Sequence, residues 1–301
     1  MEGRVDATRA GCRSDHDVAY AYIRSMWNGC VVVYRPETEV LARTLASCEA
    51  APGFAVGMVV DNSDDDAVEA ALRQLMARFP RFTYQRNPCG NAGFGHAHNL
   101  AFRALPSAPL HAVVNPDVRF APEAMQALLD AMAADAEMVL AGPALFHPDG
   151  ERQFLCKRYP TFRALFARRF ASRGMLRHLG LSADADFYEM RDADYAQPIE
   201  PEFMSGAFML FRRETYEALG GFDERFFMYL EDCDITLRAR ALGRAVYIPT
   251  ACFTHEWARG SHRSRWLTWV TIVSAFKLWN KHGWRWRDAR MPTTPPNATA
   301  R

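Results

Sequence analysis

The chain has 301 residues, of which 49% are hydrophobic, and a formal net charge of +1 at pH 7. That length and apolar content suit one large α/β domain or two fused halves, and the near-neutral charge argues against a dedicated nucleic-acid binder. Seven cysteines without a C-x-x-C pair argue against a disulfide framework or a structural zinc site and favour a reducing compartment. No apolar run reaches about 18 residues and the N-terminus lacks a signal-peptide core, so we expect a cytosolic or peripheral protein.

Strand and helix patterns alternate through the first part of the chain. Residues 1–26 are polar and aperiodic, which predicts a weakly ordered tail, and Cys30–Tyr34 is a β-branched run typical of a strand buried on both faces. The other predicted strands are Ala55–Val60, Phe82–Gln85 and His111–Val114, and the predicted helices between them are Glu37–Ala50, Asp66–Arg78 and Gly95–Leu105. Alternation of this kind indicates βαβ units. We therefore predict an α/β fold with a Rossmann-like, mostly parallel central sheet flanked by helices.

Polar side chains follow three of these strands, at the edge where such sheets bind ligands. Tyr34 could offer its ring to a nucleobase, and Asp61 could accept hydrogen bonds from a base or a ribose. Asp61-Asn62-Ser63 is also the sequence of an ordinary Asx turn, and both interpretations stay open. Asn115-Pro116-Asp117 follows the fourth strand, which must end at Pro116 because proline cannot donate to a sheet ladder.

A glycine-rich turn, Asn87–Gly95, leads into the third predicted helix. Its backbone amides can approach an anionic ligand, so Asn91 and Gly93 are candidate contacts to such a ligand. Glycine turns are common, and the pattern alone is weak.

An acidic cluster follows later in the chain. Glu231, Asp232 and Asp234 come after an aromatic run and open a predicted helix, Ile235–Leu242, which is stopped by Gly243. Any one of these carboxylates could cap the helix or favour its dipole. The cluster as a whole exceeds what a cap requires, because crowded acids repel one another unless a cation or a substrate proton balances them.

The segment Gly220–Asp234, which reads GGFDERFFMYLEDCD, resembles the acceptor-side motif of family 2 glycosyltransferases, especially the rhamnosyltransferase-like branch. Asn91–Gly95 resembles the family's Asn-x-Gly-Phe-Gly signature, and Asn115–Asp117 occupies the place of its Asp-x-Asp motif. The resemblance covers roughly residues 30–265. It is weakest at the first strand, where Arg35 stands in place of the usual asparagine. It implies the glycosyltransferase A fold.

The resemblance also implies a cation site. Asp117 would bind Mn²⁺ or Mg²⁺, which bridges the diphosphate of the donor, and Asn115 would replace the first acid of the motif and contact the ribose. One fewer negative charge should loosen the metal. His255 is implied as a further metal ligand, although the residue alone could equally be a buried histidine bonded to a backbone carbonyl.

The reaction implied by the resemblance is inverting glycosyl transfer, with Asp232 as the base that takes the acceptor's hydroxyl proton. Glu231 and Asp234 would orient Asp232 or contact the acceptor. Phe227 and Tyr229 would form a floor for a sugar ring, unless they belong to the core. The implied donor is a nucleoside diphosphate sugar, most specifically dTDP-rhamnose. The implied acceptor is a hydroxyl of a polysaccharide or of a lipopolysaccharide or O-antigen intermediate.

Two segments combine aromatic with basic residues. Glu151–Gly180 contains eight Lys or Arg and one acid, with phenylalanines at helical spacing, and the acids follow in the next stretch. Near the C-terminus, one predicted helical face carries Trp266, Trp269, Val270, Val273, Phe276 and Trp279. This composition is typical of a bilayer interface and predicts peripheral attachment to the cytoplasmic leaflet. For the basic insertion, a grip on an anionic acceptor or a face packed on its own domain stays open.

The sequence thus predicts a nucleotide-sugar-binding half (27–120) and an acceptor-binding, catalytic half (121–265) with an insertion at 151–198. An amphipathic helical segment (266–290) and a disordered tail (291–301) follow.

Three other functions are compatible with parts of the pattern. A nicotinamide-dependent oxidoreductase would use Gly93-Phe94-Gly95, but His98 stands where the third glycine of G-x-G-x-x-G belongs. A metal-dependent phosphoesterase could use Asp117, Asp232, Asp234 and His255 and would hydrolyse the nucleotide sugar without any acceptor. The third alternative is a non-catalytic membrane-surface binding module.

Overall fold

A computed structural model of the chain describes residues 26–170, 182–256, 265–288 and 290. Within these ranges the chain forms eleven strands and nine helices. The strands are β1 (Trp27–Val33), β2 (Phe54–Asp61), β3 (Phe82–Arg86), β4 (Leu110–Val114), β5 (Val118–Phe120), β6 (Met138–Phe146), β7 (Arg152–Gln153), β8 (Cys156–Lys157), β9 (Phe203–Met204), β10 (Phe208–Arg212) and β11 (Arg244–His255). The helices are α1 (Thr38–Ala50), α2 (Asp66–Met76), α3 (Phe94–Ala104), α4 (Pro122–Ala134), α5 (Phe162–Phe170), α6 (Ser182–Tyr188), α7 (Arg213–Ala218), α8 (Glu231–Ala239) and α9 (Arg265–His282).

The first half of the central sheet is parallel, in the order β3-β2-β1-β4. β1 is buried along its whole length because its side chains alternate between two covered faces. Val31 packs in the same core cluster as Leu41 of α1. Val32 packs on the other face with Ala97 of α3. The strands and helices predicted for this half are confirmed, with β1 beginning earlier than predicted, at Trp27.

The second half of the sheet mixes strand directions. β10 lies antiparallel between β4 and β6, β11 runs parallel to β6, and β5 pairs antiparallel with β11 at the edge. Phe208 of β10 pairs with Val114, the last residue of β4, so the chain that enters β10 passes the carboxyl end of β4. The predicted α/β class is confirmed, and residues from both halves of the chain meet at this edge of the sheet.

Helix α8 begins at Glu231, earlier than the predicted Ile235, and ends at Ala239. Leu230 precedes it with a left-handed φ of 66° and no side-chain cap. All three acids of the cluster therefore lie inside the first turn, where the helix dipole favours negative charge.

Helix α9 is apolar on both sides. Val270 and Trp279, predicted to share the outward face, are buried against the protein, whereas Trp266, Trp269 and Phe276 are exposed. No helix among the described residues is long and apolar enough to cross a membrane.

The basic insertion folds partly onto itself. α5 packs beside α6, and Arg163 lies 3.0 Å from Asp184. At least one basic residue of the insertion is therefore paired with an acid that follows it in the sequence. Ala164 and Ala167 face inward, while Phe162 and Phe166 stay partly exposed. The predicted tails, 1–25 and 291–301, and the arginines Arg173 and Arg177 lie outside the described residues.

Candidate active site

Asp117 and His255 face each other at the carboxyl edge of the sheet. Val118 of β5 pairs with His255 of β11, and this register brings His255 Nε2 to 3.2 Å from Asp117 Oδ1. Both atoms are buried, and neither has a hydrogen-bond partner among the described residues. Two buried ligand atoms that lie 3.2 Å apart without forming a hydrogen bond are an arrangement that suits two ligands of one cation. These residues therefore fit the divalent cation that the sequence implied.

Gln153 fixes the tautomer of His255. The Gln153 side-chain carbonyl lies 2.8 Å from His255 Nδ1, and its amide donates to the backbone carbonyl of His255 at 2.9 Å. With the proton held on Nδ1, Nε2 keeps the free electron pair that a metal ligand needs. No pattern in the sequence pointed to Gln153, because only the pairing of β7 with β6 brings it next to His255.

Within the described residues, no group of three or more His, Cys, Asp or Glu side chains could hold a metal ion. A cation at Asp117 and His255 would therefore need further ligands from a bound substrate or from water.

The Asn115-Pro116-Asp117 turn is held from three sides. The Asn115 amide donates to the carbonyl of Ala207 at 2.9 Å, the Thr44 hydroxyl donates to the Pro116 carbonyl at 2.7 Å, and the Glu256 amide donates to the Asp117 carbonyl at 2.9 Å. These bonds fix the backbone of the predicted motif and leave the half-buried side chain of Asn115 at the edge of the sheet.

Asp232 lies at the same edge and is linked to that turn through the Gly206–Ala207 dipeptide. Its carboxylate accepts hydrogen bonds from the Gly206 amide at 3.1 Å and from the Cys233 amide at 2.8 Å. Because Gly206 adjoins Ala207, the dipeptide that binds Asn115 also binds Asp232. A side chain at Gly206 would place its Cβ 3.3 Å from the Asp232 Cβ, so glycine allows this close approach. The structure thus places Asp232 at the same sheet edge where Asp117 lies opposite His255.

The glycine-rich turn and the acidic motif also touch. Gly93 has a φ of +104°, and an added Cβ would lie 2.4 Å from the Phe227 carbonyl oxygen, which accepts a hydrogen bond from the Phe94 amide at 3.0 Å. Only glycine fits there. Gly93, predicted to contact the donor, and Phe227, predicted to contact the acceptor, therefore lie in direct contact.

Comparison with known proteins decides the family. A model described as "Glycosyltransferase like family 2" matches residues 29–289. The chain belongs to glycosyltransferase family 2. It is 32% identical over 252 residues to the "N-acetylglucosaminyl-diphospho-decaprenol L-rhamnosyltransferase" of Mycobacterium tuberculosis (strain CDC 1551 / Oshkosh), covering 77% of this chain and 76% of the relative. The rhamnosyltransferase-like branch is confirmed, and the protein is a nucleotide-sugar-dependent glycosyltransferase.

Solved structures confirm the glycosyltransferase A fold. GalNAc-T7 with UDP, GalNAc and Mn²⁺ aligns with a TM-score of 0.59 at 13% identity, over 78% of this chain and 44% of that one. The mannosyltransferase PcManGT from Pyrobaculum calidifontis, in complex with GDP-Man and Mn²⁺, aligns at 0.55 and 18% identity, over 85% of this chain and 64% of that one. S. aureus TarS 1-349 aligns at 0.51 and 14% identity, over 85% of this chain and 66% of that one. At these identities the likeness shows the fold alone.

The three acids of the glycosyltransferase's motif have three different environments. Glu231 is only 6% exposed, and its Oε2 atom has no hydrogen-bond partner among the described residues. Burial, with the negative charge of Asp232 beside it, raises the pKa of the Glu231 carboxyl well above its ordinary value. Asp232 is half-buried and bonded to neutral amides. Burial therefore favours the protonated form of the Glu231 carboxyl.

Asp234 is fully buried and belongs to an ion-pair centre. Its two oxygens lie 2.8 Å from Arg238 Nε and 2.7 Å from both Lys281 Nζ and His282 Nε2. A carboxylate closed off in this way joins α8 to α9. The geometry gives no support to the acceptor contact predicted for Asp234.

Asp61 is also fully buried. It accepts hydrogen bonds from the Ser63 amide at 2.8 Å and from the Tyr84 hydroxyl at 3.0 Å, so the Asx turn that the sequence left open is formed. With both oxygens bonded inside the protein, the predicted nucleotide contact by Asp61 gains no support.

Two asparagines that were not predicted as site residues link the ends of β2 and β3 to the glycine-rich turn. Asn87 donates to the Asn62 side-chain carbonyl at 2.8 Å, and Asn62 donates to the Gly93 carbonyl at 3.3 Å. Both side chains are buried, and their signal in the sequence was their position directly after β2 and β3. Tyr34, 56% exposed, and exposed Asn91 remain accessible.

Proposed function

We propose that this glycosyltransferase transfers rhamnose from dTDP-rhamnose, with inversion, to a hydroxyl of a lipid-linked glycan that is an intermediate of a surface polysaccharide or lipopolysaccharide. The observation that carries the proposal is the Gly206–Ala207 dipeptide, which ties Asp232 to the turn that holds Asp117. The donor sugar and the lipid-linked acceptor are supported by the L-rhamnosyltransferase relative, whose name specifies an N-acetylglucosaminyl-diphospho-decaprenol acceptor.

In the proposed reaction Asp232 takes the proton of the acceptor hydroxyl. The oxygen of that hydroxyl attacks the anomeric carbon of the donor sugar at the same time. The bond between that carbon and the diphosphate breaks at the same time, and one such displacement inverts the anomeric configuration. The amides of Gly206 and Cys233 hold the Asp232 carboxylate toward the acceptor. Bound Mn²⁺ or Mg²⁺ at Asp117 and His255 would supply positive charge for the departing diphosphate.

The remaining residues take supporting roles in this proposal. The raised pKa of Glu231 favours its protonated form, which limits the negative charge beside Asp232. Tyr34, Asn91, Gly93 and Asn115 line the donor side. On the acceptor side, Phe227 and Tyr229, both half-buried, form a floor for a sugar ring.

We also propose that the enzyme works in the cytoplasm at the inner face of the cell membrane, because a lipid-linked acceptor is held in a bilayer. The exposed tryptophans of α9 support this placement.

The test is a screen of the purified protein against nucleotide sugars, with and without Mn²⁺ or Mg²⁺. The true donor should stabilise the fold by about 2.7 kcal/mol at a hundredfold excess over its dissociation constant. Product analysis follows with a lipid-linked N-acetylglucosaminyl diphosphate. Formation of a rhamnoside supports transfer, whereas release of free sugar without an acceptor product would show a phosphoesterase and overturn the proposal.

A further inference from the structure

Helix α9 presents a second apolar face that the rest of the described residues leaves exposed. Its inner face buries Val270 and Leu278, while Trp266 and Trp269 on the outer face are 62% and 60% exposed. A helix that is apolar on both sides needs a partner on both sides. Segment 265–287 contains five Lys or Arg and no Asp or Glu.

Other elements extend this outer face. Phe276 contacts Trp284 at 5.3 Å between ring centroids, and Phe162 of α5 stacks on Trp286 at 4.8 Å. Backbone bonds hold the two segments together, since the Phe162 amide donates to the Arg285 carbonyl at 3.0 Å. We define the aromatic surface as Phe162, Phe166, Trp266, Trp269, Phe276, Trp284 and Trp286, all of them exposed.

The chemistry of the aromatic surface matches an anionic bilayer. Tryptophan beside lysine and arginine is the composition of protein surfaces that lie at lipid headgroups. Arg265, Arg285 and Arg287 remain exposed along the same segment, and a symmetric contact with a second copy of the chain would bring these cations together. An exposed cluster of aromatic side chains on a protein surface marks an interaction site.

The inner face of α9 contacts the loop that precedes the proposed base. The Ser274 hydroxyl donates to the Met228 carbonyl at 2.8 Å, and Lys277 donates to the Arg225 carbonyl. Tyr229 and Leu230, the next residues, have left-handed φ values of 67° and 66°. Non-glycine residues keep that conformation only where the surroundings hold it. At its end, α9 also binds Asp234, two residues after Asp232, through Lys281 and His282.

We propose that helix α9 couples docking on an anionic membrane to the geometry of the active site. The aromatic surface is continuous only while α9 and residues 284–286 are seated on α5, so a bilayer binds the seated conformation more tightly and raises its population. The seated helix in turn holds residues 225–230 and positions Asp232. The inference rests on the proposed function for its acceptor, and it makes Ser274 a positioning residue.

The test uses the full chain with vesicles of phosphatidylcholine containing phosphatidylglycerol, and with phosphatidylcholine alone as the neutral control. We measure sedimentation with the vesicles, hydrogen exchange of residues 225–232, and kcat for dTDP-rhamnose with a short-chain, water-soluble N-acetylglucosaminyl diphosphate. Anionic vesicles should bind the protein, slow exchange in 225–232, and raise kcat by at least about fivefold.

Two variants separate docking from coupling. The double variant Trp266→Ser with Trp269→Ser should lose vesicle binding and the vesicle-dependent changes in exchange and kcat, whereas Leu242→Ser, an exposed apolar residue elsewhere, should keep them. Ser274→Ala should still sediment with vesicles but lose the stimulation, and Ser274→Thr should restore it.

Absence of vesicle binding overturns the docking surface. Binding that leaves both exchange and kcat unchanged overturns the coupling. If no transfer is detected at all, the proposed function fails, and the sedimentation and exchange results still decide the inference.

Discussion

On the side proposed for the donor, neutral amide side chains at the ends of β2 and β3 hold the glycine-rich turn, whereas on the side proposed for the acceptor, around α8, ion pairs hold the carboxylates. On the donor side, the amides of Asn62 and Asn87 bond to each other and to the glycine-rich turn. On the acceptor side, Asp234 lies within 2.8 Å of Arg238, Lys281 and His282, beside a buried Glu231. Neutral hydrogen bonds give a rigid frame that is insensitive to pH, while clustered carboxylates depend on which of them is protonated.

The largest expected effect comes from breaking the acceptor side at Asp232. Asp232→Asn keeps the shape of the side chain and removes the base, so kcat for transfer should fall by about 100- to 10,000-fold. Donor-induced thermal stabilisation should stay, because the donor side is intact. Asp130→Asn, an exposed aspartate on α4, is the matched control. Full transfer activity of Asp232→Asn would show that another group is the base.

The contact between the two sides can be tested at Gly93. Gly93→Ala combines a left-handed φ of +104° with a Cβ 2.4 Å from the Phe227 carbonyl oxygen, and should lower the free energy of unfolding by roughly 2–6 kcal/mol. Gly90→Ala has a φ of +63° but open space around its Cβ, so it should cost only about 1–2 kcal/mol. Urea unfolding measures both. Equal losses in the two variants would mean that the contact between Gly93 and Phe227 can separate without lowering the free energy of unfolding.

Much of the donor side was predictable because its elements follow local rules. β1 to β4 alternate with α1 to α3, and hydrophobic runs and turn residues fix their order and direction. The motif letters also predicted that Asp117, Asp232 and His255 share one site; all three lie at one edge of the sheet, and their roles stay a prediction. What the sequence did not separate is the environment of each acid. Glu231 and Asp234 differ from Asp232 through burial and through partners such as His282, which tertiary packing alone brings near.

A smaller effect is expected from Gln153, which supports the proposed metal ligand His255. Gln153→Ala removes the group that holds the His255 proton on Nδ1, and should weaken metal affinity by about 10- to 100-fold. The measurement is the Mn²⁺ concentration that gives half of the donor-induced stabilisation. Gln126→Ala, an exposed glutamine on α4, serves as control. An unchanged Mn²⁺ requirement in Gln153→Ala would remove His255 from the metal site or Gln153 from its support.

The smallest expected effect concerns the protonation of Glu231. It should make the pH dependence of stability differ between variants on the two sides. Because the folded pKa of Glu231 lies above its unfolded value near 4.5, the folded state retains a proton that the unfolded state has lost. Wild-type stability should therefore fall as pH rises through the interval between the two pKa values, by up to about 1.4 kcal/mol per pH unit. Glu231→Gln lacks this proton and should become steadily more stable relative to wild type from pH 5 to pH 7.

Urea unfolding at each pH gives that difference. Asn62→Asp on the donor side offers the opposite case, because it introduces a buried carboxylate where the wild type has a neutral amide. Its stability relative to wild type should decline over the same pH range. A constant difference between Glu231→Gln and wild type would mean that Glu231 is already ionised in the folded enzyme. Burial would then not hold a proton on Glu231, and the supporting role proposed for this residue would be wrong.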